Sequence, residues 1–292
     1  MKKKIVLLLL CILLTACSKT SVSYNAENIN VMKDIEEKSF DFVTHSDHYL
    51  LADMSDFEVL YRHNTSDVIY PASLAKLFVL DTVLNTLDDL SGTSYIDHDE
   101  FMWLIEEDSS LAGLYVDQEY TMEDLLYALI LPSGGDAALA IEDYYTRNFN
   151  VSLVDLVNER CAELGLKSSH FTNTTGLHDP DLYTCIDDIY TVVMDILTFE
   201  KGREIIGSRY HYIDSKLTVY STTNYAGTTG MWVIGGKTGY TPESGQSIVL
   251  LYKHNYHSYL LILTNAMGGS PINREYFHYE DCFTIFDNLY YN

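Results

Sequence analysis

Basic residues are scarce in this 292-residue chain: Lys and Arg number 18 against 42 Asp and Glu, a formal net charge of -24. So acidic a surface repels phosphate backbones, which excludes a general nucleic-acid binder. Cysteine is sparse as well, five in all, too few for a disulfide framework at this length. Neither a His-Glu-x-x-His nor a paired Cys-x-x-Cys spacing occurs, so the histidines read as solvated polar residues, and no metal or cofactor is expected. His254 and His257 fall in an expected hairpin turn, and His45 and His48 before the first strand. No apolar run reaches eighteen residues, which excludes an ordinary transmembrane helix, and no internal repeat or low-complexity segment is present. What is there is ordinary globular composition, 47% hydrophobic and 21% charged, in a length that suits one large domain or two modest ones.

The first residues stand apart. Lys2, Lys3 and Lys4 precede an apolar stretch from Ile5 to Ala16 broken only by Thr15. That is too short to span a bilayer and has the form of a secretory signal. It ends in Leu14-Thr15-Ala16-Cys17, which resembles the lipobox of bacterial lipoproteins. The resemblance implies cleavage before Cys17 and a diacylglyceryl group on its thiol, and two acyl chains are what stable anchoring requires. The alternative is a plain cleaved signal with an incidental cysteine. Cleavage removes three lysines and no acid, leaving 15 basic against 42 acidic residues, or -27. Residues 17–38 then read as lipid site and tether, and 39–292 as a folded domain. Cys161, Cys185 and Cys282 remain, either with one pair bridged or as three buried thiols.

Period-two patterning predicts short strands at Tyr49–Ala52 and Phe57–Tyr61. Apolar residues at three- and four-residue spacing predict helices from Ser73 to about Leu87, and at Met122–Leu131, Asp136–Tyr145, Leu153–Leu164 and Ile186–Phe199. Thr121 with Asp124, Ser152 with Asp155, and Thr184 with Asp187 carry start signals, and Gly165 a stop. Strands follow at Tyr210–Ile213, Leu217–Ser221, Met231–Gly235, Ser247–Lys253 and Tyr259–Thr264, then a closing helix over Glu275–Tyr290. The first hairpin is expected to join the late strands in one antiparallel sheet with helices on its faces. Residues from about 87 to 197 are expected to form a helical subdomain, with a cleft where the two parts meet.

Three short motifs carry chemistry. In Ser73-Leu74-Ala75-Lys76, residues three apart on a helix share a face, so the Lys76 amine can sit beside the Ser73 hydroxyl. Serine is a weak nucleophile unless a base takes its proton, and a desolvated lysine can serve. A free N–H at the helix start offers an oxyanion donor. Ser133-Gly134-Gly135-Asp136 lies between two helical stretches, Asp136 reading as a cap. Lys237-Thr238-Gly239-Tyr240 comes at a strand end, where glycine admits a substrate backbone and lysine with a hydroxyl can seat a carboxylate. A phosphate-loop reading fails because the spacing would need glycine at Met231.

In this order the motifs resemble those of the penicillin-recognising serine enzymes. Tyr70-Pro71-Ala72-Ser73, Leu131-Pro132-Ser133-Gly134, Asn173-Thr174-Thr175-Gly176-Leu177 with Asp179-Pro180, and Lys237-Thr238-Gly239-Tyr240-Thr241 narrow the resemblance to the low-molecular-mass D-alanyl-D-alanine carboxypeptidases. It implies an α+β, β-lactamase/transpeptidase-like fold and acyl transfer on peptidoglycan stem peptides, with β-lactams as inhibitors. Ser73 would be the nucleophile, Lys76 its base and Ser133 a proton relay. Lys237, Thr238 and Gly239 would line the substrate seat, and Ser73 and Tyr240 would give backbone N–H groups to the oxyanion hole. Arg274 would help to hold the terminal carboxylate. Gly135 departs from the family's pattern, which has asparagine there. Losing that amide costs roughly 1–3 kcal/mol unless something replaces it, and Gly135→Asn is expected to raise acylation. Two other readings stand beside the enzyme: a penicillin- or peptidoglycan-binding lipoprotein with impaired turnover, and a β-lactamase, which needs a carboxylate that activates the deacylating water.

Overall fold

The computed structural model describes residues 36–226, 232–269 and 273–290; the signal stretch and Cys17 lie outside the described residues. The chain begins with a hairpin, β1 (Ser46–Asp53) and β2 (Glu58–His63), and enters α1 (Ala75–Thr86) through a 3-10 turn at Ala72–Leu74. Then come β3 (Thr93–Ser94), α2 (His98–Glu106), β4 (Tyr120–Thr121), α3 (Met122–Ile130), α4 (Gly135–Phe149), α5 (Leu153–Glu163), α6 (Ile186–Ile196) and α7 (Glu200–Ile206). The C-terminal part is β5 (Tyr210–Tyr212), β6 (Thr218–Tyr220), β7 (Trp232–Thr241), β8 (Gly245–His254), β9 (His257–Ala266) and α8 (Phe277–Tyr290).

Five strands form one antiparallel sheet in the order β2-β1-β9-β8-β7. Its central strands are apolar without interruption because both faces are covered. Val249, Leu251, Leu260 and Ile262 pack among the helices, while Ile248, Leu250, Leu261 and Leu263 pack with Cys282, Ile285 and Phe286 of α8. Helix α1 is buried on every side from Ala75 to Leu84, the position that an all-round apolar helix demands. It carries one lysine into the interior, Lys76.

Several expectations are corrected. The β5 and β6 strands do not join the main sheet but form a two-stranded sheet of their own. That hairpin is held against α3 instead, where the His211 ring stacks on Tyr127 and Nε2 lies 2.8 Å from Asp124. The Lys-Thr-Gly motif lies within β7, not at its end, and β7 is an edge strand. The last middle helix stops at Ile196, three residues short, where Arg203 Nη1 donates to the carbonyls of Leu197 and Thr198, and α7, beyond the expected helix, was not anticipated. Thr184 is no cap: Cys185 holds that position without a side-chain bond, while Thr184 pairs with Ile69 and meets the Ser169 hydroxyl. Helix α2 was not expected, although Asp97 and Glu100 give it a capping box. Of the ten histidines, only His48, His254 and His278 are buried, and the rest keep some exposure to solvent. His48 lies within β1, and in so acidic a chain His45 and His257 sit against Asp281 and Asp53. His278 is buried on Gln246.

The Thr121 and Ser152 caps are formed, and Gly165 ends α5 at φ +72 with the Leu166 N–H on the Cys161 carbonyl. Cys161, Cys185 and Cys282 are free and buried. Among the described residues no group of three or more His, Cys, Asp or Glu could hold a metal ion, and no helix is long and apolar enough to cross a membrane.

Candidate active site

Ser73 sits on the 3-10 turn that leads into α1, directly after Ala72, whose φ is +48. A non-glycine residue in the left-handed region costs about 1 kcal/mol or more, and such conformations persist where the surroundings over-determine them. Two neighbours do so here. The β7 strand passes across the turn so closely that a Cβ on Gly239 would lie 3.1 Å from the Pro71 carbonyl. On the other side the 173–177 loop presses Gly176 onto Ala72, leaving no room for a side chain and holding φ at +77. Asn173 staples that loop, its Oδ1 accepting from Thr175 Oγ1 and the Gly176 N–H, its Nδ2 donating to the Leu177 carbonyl.

Lys76 follows one turn later and is 1% exposed. Its Nζ donates to Ser73 Oγ at 3.1 Å and to the Thr175 carbonyl. Burial pulls the amine down to about 7, with Asp136 partly opposing the shift, so a neutral, proton-accepting amine is present near neutral pH. Lys237, fully buried on β7, donates to the Thr238 carbonyl at 2.7 Å. Burial and then the like charge of Lys76 hold it well below the ordinary lysine range.

Ser133, at φ +69 between α3 and α4, is 5% exposed, and its Oγ has no hydrogen-bond partner. Asp136 is not a cap; Gly134 occupies that position. The fully buried Asp136 carboxylate accepts the N–H groups of Ala112, Gly113 and Leu114 at 2.8, 2.9 and 3.0 Å, pinning the loop after α2 beside Ser133.

Two cavities meet at Ser73. One, of about 300 Å³, brings Ser73, Ser133, Thr238, Gly239 and Tyr240 together with Thr222, Tyr276, His278 and Tyr279. The other, of about 360 Å³, runs between Thr175–His178, Tyr240–Glu243 and Glu107–Ser110. The structure thus gathers Ser73, Ser133, Thr238, Gly239 and Tyr240 on one cavity with Lys76 on the Ser73 hydroxyl, but not Arg274, which is exposed and lines neither cavity. The sequence carries no motif for Thr222, the α8 aromatics or the Glu107–Ser110 loop, which reach the site only through the fold.

That loop also changes the reading of Gly135. A Cβ there would lie 2.5 Å from Ser109 Oγ, 3.1 Å from Leu104 Cδ2 and 3.2 Å from the Ser110 carbonyl, which already accepts the Gly135 N–H at 2.7 Å. The space of the usual asparagine is filled, so the expected gain from Gly135→Asn is withdrawn. The variant should instead lose stability by roughly 1–3 kcal/mol through overpacking. A lower melting temperature and no faster penicillin acylation are the expected readings; faster acylation at unchanged melting temperature would contradict this geometry.

Residues 34–267 match the D-alanyl-D-alanine carboxypeptidase family, peptidase S11. The chain belongs to that family. Among curated relatives it is similar to the D-alanyl-D-alanine carboxypeptidase DacF of Bacillus subtilis, 26% identical over 199 residues covering 64% of this chain and 49% of the relative. It is similar to DacA of Haemophilus influenzae at 26% over 204 residues, 69% of this chain and 52% of that protein. The chain spans about half the length of these relatives. Among solved structures, the Streptomyces K15 DD-transpeptidase aligns with a TM-score of 0.73 at 20% identity, over 87% of this chain and 98% of that one. Penicillin-binding protein D2 of Listeria monocytogenes, in its ampicillin-bound form, aligns with a TM-score of 0.68 at 19% identity, over 86% of this chain and 98% of that one. The fold is α+β and of the β-lactamase/transpeptidase type.

Proposed function

We propose that residues 39–292 form a serine D-Ala-D-Ala carboxypeptidase that removes the terminal D-alanine of peptidoglycan stem peptides. The observation that carries this reading is the buried Lys76 amine 3.1 Å from Ser73 Oγ, with the unpartnered Ser133 hydroxyl on the same cavity. Neutral Lys76 takes the Ser73 proton as Oγ attacks the carbonyl between the two alanines. The oxyanion falls to the N–H groups of Ser73 and Tyr240. The carbon–nitrogen bond breaks as the leaving amine takes a proton relayed through Ser133. Water then attacks the acyl-enzyme and restores Ser73. Thr238 receives the terminal carboxylate, whose negative charge favours the ammonium form of Lys237 beneath it. A β-lactam acylates the same serine and remains.

A fluorescent penicillin tests this, followed by an assay of D-alanine release from a pentapeptide. Labelling with release supports the carboxypeptidase. Labelling without release supports a penicillin- or peptidoglycan-binding lipoprotein, a reading that the filled space at Gly135 favours. Rapid loss of label identifies a β-lactamase. Either of the last two outcomes overturns the proposal.

The family match and the Leu14–Cys17 pattern together support an extracytoplasmic protein anchored to the bacterial membrane by lipid on Cys17. Cys17→Ala should then move the protein from the membrane fraction to the medium, since the diacyl anchor is lost with the thiol. Unchanged partition would overturn the anchor.

A further inference from the structure

The carboxylate seat of this site is short of positive charge. Among the described residues no Lys or Arg lines the cavity that holds Thr238, and Arg274 lies outside it. The one histidine there, His278, is bonded through Nδ1 to Gln246 Oε1, and burial lowers it to about 4, so it is neutral at physiological pH. With Lys237 fully buried behind Thr238, selection for a terminal carboxylate at the cavity surface draws on hydroxyl donors.

Thr222 is such a donor. It opens the short 3-10 helix Thr222–Tyr225, and its backbone is fixed at both ends. Its N–H donates to the carbonyl of Leu131, two residues before Ser133, at 3.1 Å, and its carbonyl accepts the Tyr279 hydroxyl of α8 at 2.6 Å. Three walls of the cavity are thereby tied to one residue, and its side chain is aimed at the fourth. Thr238 Oγ1 donates to Thr222 Oγ1 at 2.7 Å. In that arrangement the Thr222 hydroxyl accepts, and no described group takes its own proton. A hydroxyl has one proton and two lone pairs, while a carboxylate only accepts. A carboxylate entering the cavity thus finds the Thr222 proton free in a relay in which Thr238 donates to Thr222 and Thr222 to the ligand, or, with the bond reversed, Thr222 donates to Thr238 and Thr238 to the ligand.

We propose that Thr222 is the specificity-determining partner of Thr238, the two hydroxyls together selecting substrates that end in a free carboxylate. This rests on the carboxypeptidase reading and adds a residue that the three motifs do not contain.

The test compares a benzoyl-D-alanyl thioester of thioglycolic acid with the methyl ester of the same compound, identical at the acyl group and differing only in the carboxylate. The protein should favour the acid in kcat/KM. Thr222→Val, close in shape but without the hydroxyl, should shrink that acid-to-ester ratio by about 10-fold, as expected for one hydrogen bond to a charged group. Thr222→Ser should restore it, and Arg274→Ala should leave it within about twofold, since that side chain makes no contact with the seat. An unchanged ratio in Thr222→Val, an equal loss on both compounds, or a collapse in Arg274→Ala would each overturn the inference. If the unaltered protein hydrolyses neither compound, it is the carboxypeptidase reading that falls, and the selection with it.

Discussion

Ser73→Ala is expected to abolish covalent labelling by a fluorescent penicillin and to lower D-alanine release by on the order of 10⁴-fold or more, as loss of a nucleophile does in other serine enzymes. The reason is geometric. Ser73 is the one described residue that lines both cavities and has a hydroxyl hydrogen-bonded to a buried amine. Ser133 lies on the first cavity only and has no base within hydrogen-bond distance. It therefore cannot take over the attack. The fold should survive, because one hydroxyl is exchanged for hydrogen on a turn already held by Gly176 and Gly239. Circular dichroism and the melting temperature should match the unaltered protein while the label is gone. Persistent labelling of Ser73→Ala would mean that another group is acylated and would end the proposed mechanism.

Lys76→Met should lower acylation by about 10³-fold, within the range for loss of a general base. Methionine approximates the buried stem, so the packing of α1 stays close to that of the unaltered protein, whereas alanine would leave a cavity. The pH dependence gives the sharper measurement. The amine accepts a proton only when neutral, and burial places its pKa at about 7. The acylation rate of the unaltered protein should therefore be low at acid pH and rise through pH 7 to a plateau. The Lys76→Met residual rate should lack that limb. A limb that persists in the variant would assign the titration to another group. The same shift has a consequence for stability. Between about pH 7 and the ordinary lysine range the unfolded chain binds a proton at this position that the native protein does not, so this group's contribution to stability rises with pH there.

Much of this site was legible in the sequence because its chemistry is local. Ser73 and Lys76 share a helical turn, and Lys237, Thr238 and Gly239 are consecutive on one strand. Spacing alone brings each group together, and the order of the motifs resembles one family. The long strands were legible as well, since β8 and β9 carry unbroken apolar runs at Ile248–Tyr252 and Tyr259–Leu263. What the sequence hid depends on contacts between distant segments. Thr222 reaches Thr238 across sixteen residues, and the Glu107–Ser110 loop reaches Ser133 because Asp136 holds the chain after it and the Gly135 N–H holds Ser110. Gly135 shows the limit most clearly. Read along the chain it was a missing side chain, and in three dimensions it is a position already filled by a neighbour. Arg274 is the converse case: its place in the order of motifs suits the family, and its side chain is exposed and lines neither cavity.

The three buried cysteines bear on the export proposed for the chain. Burial raises the Cys161 and Cys185 thiols to about 12 and Cys282 higher still, so these three offer almost no thiolate, the form that attacks a disulfide or an oxidant. Once folded, these three positions are shielded from the redox state of the surroundings. The vulnerable period is the interval between translocation and closure of the core, when all three thiols are open to oxidant and to one another. For a chain exported as proposed, maturation is accordingly a race between folding and oxidation.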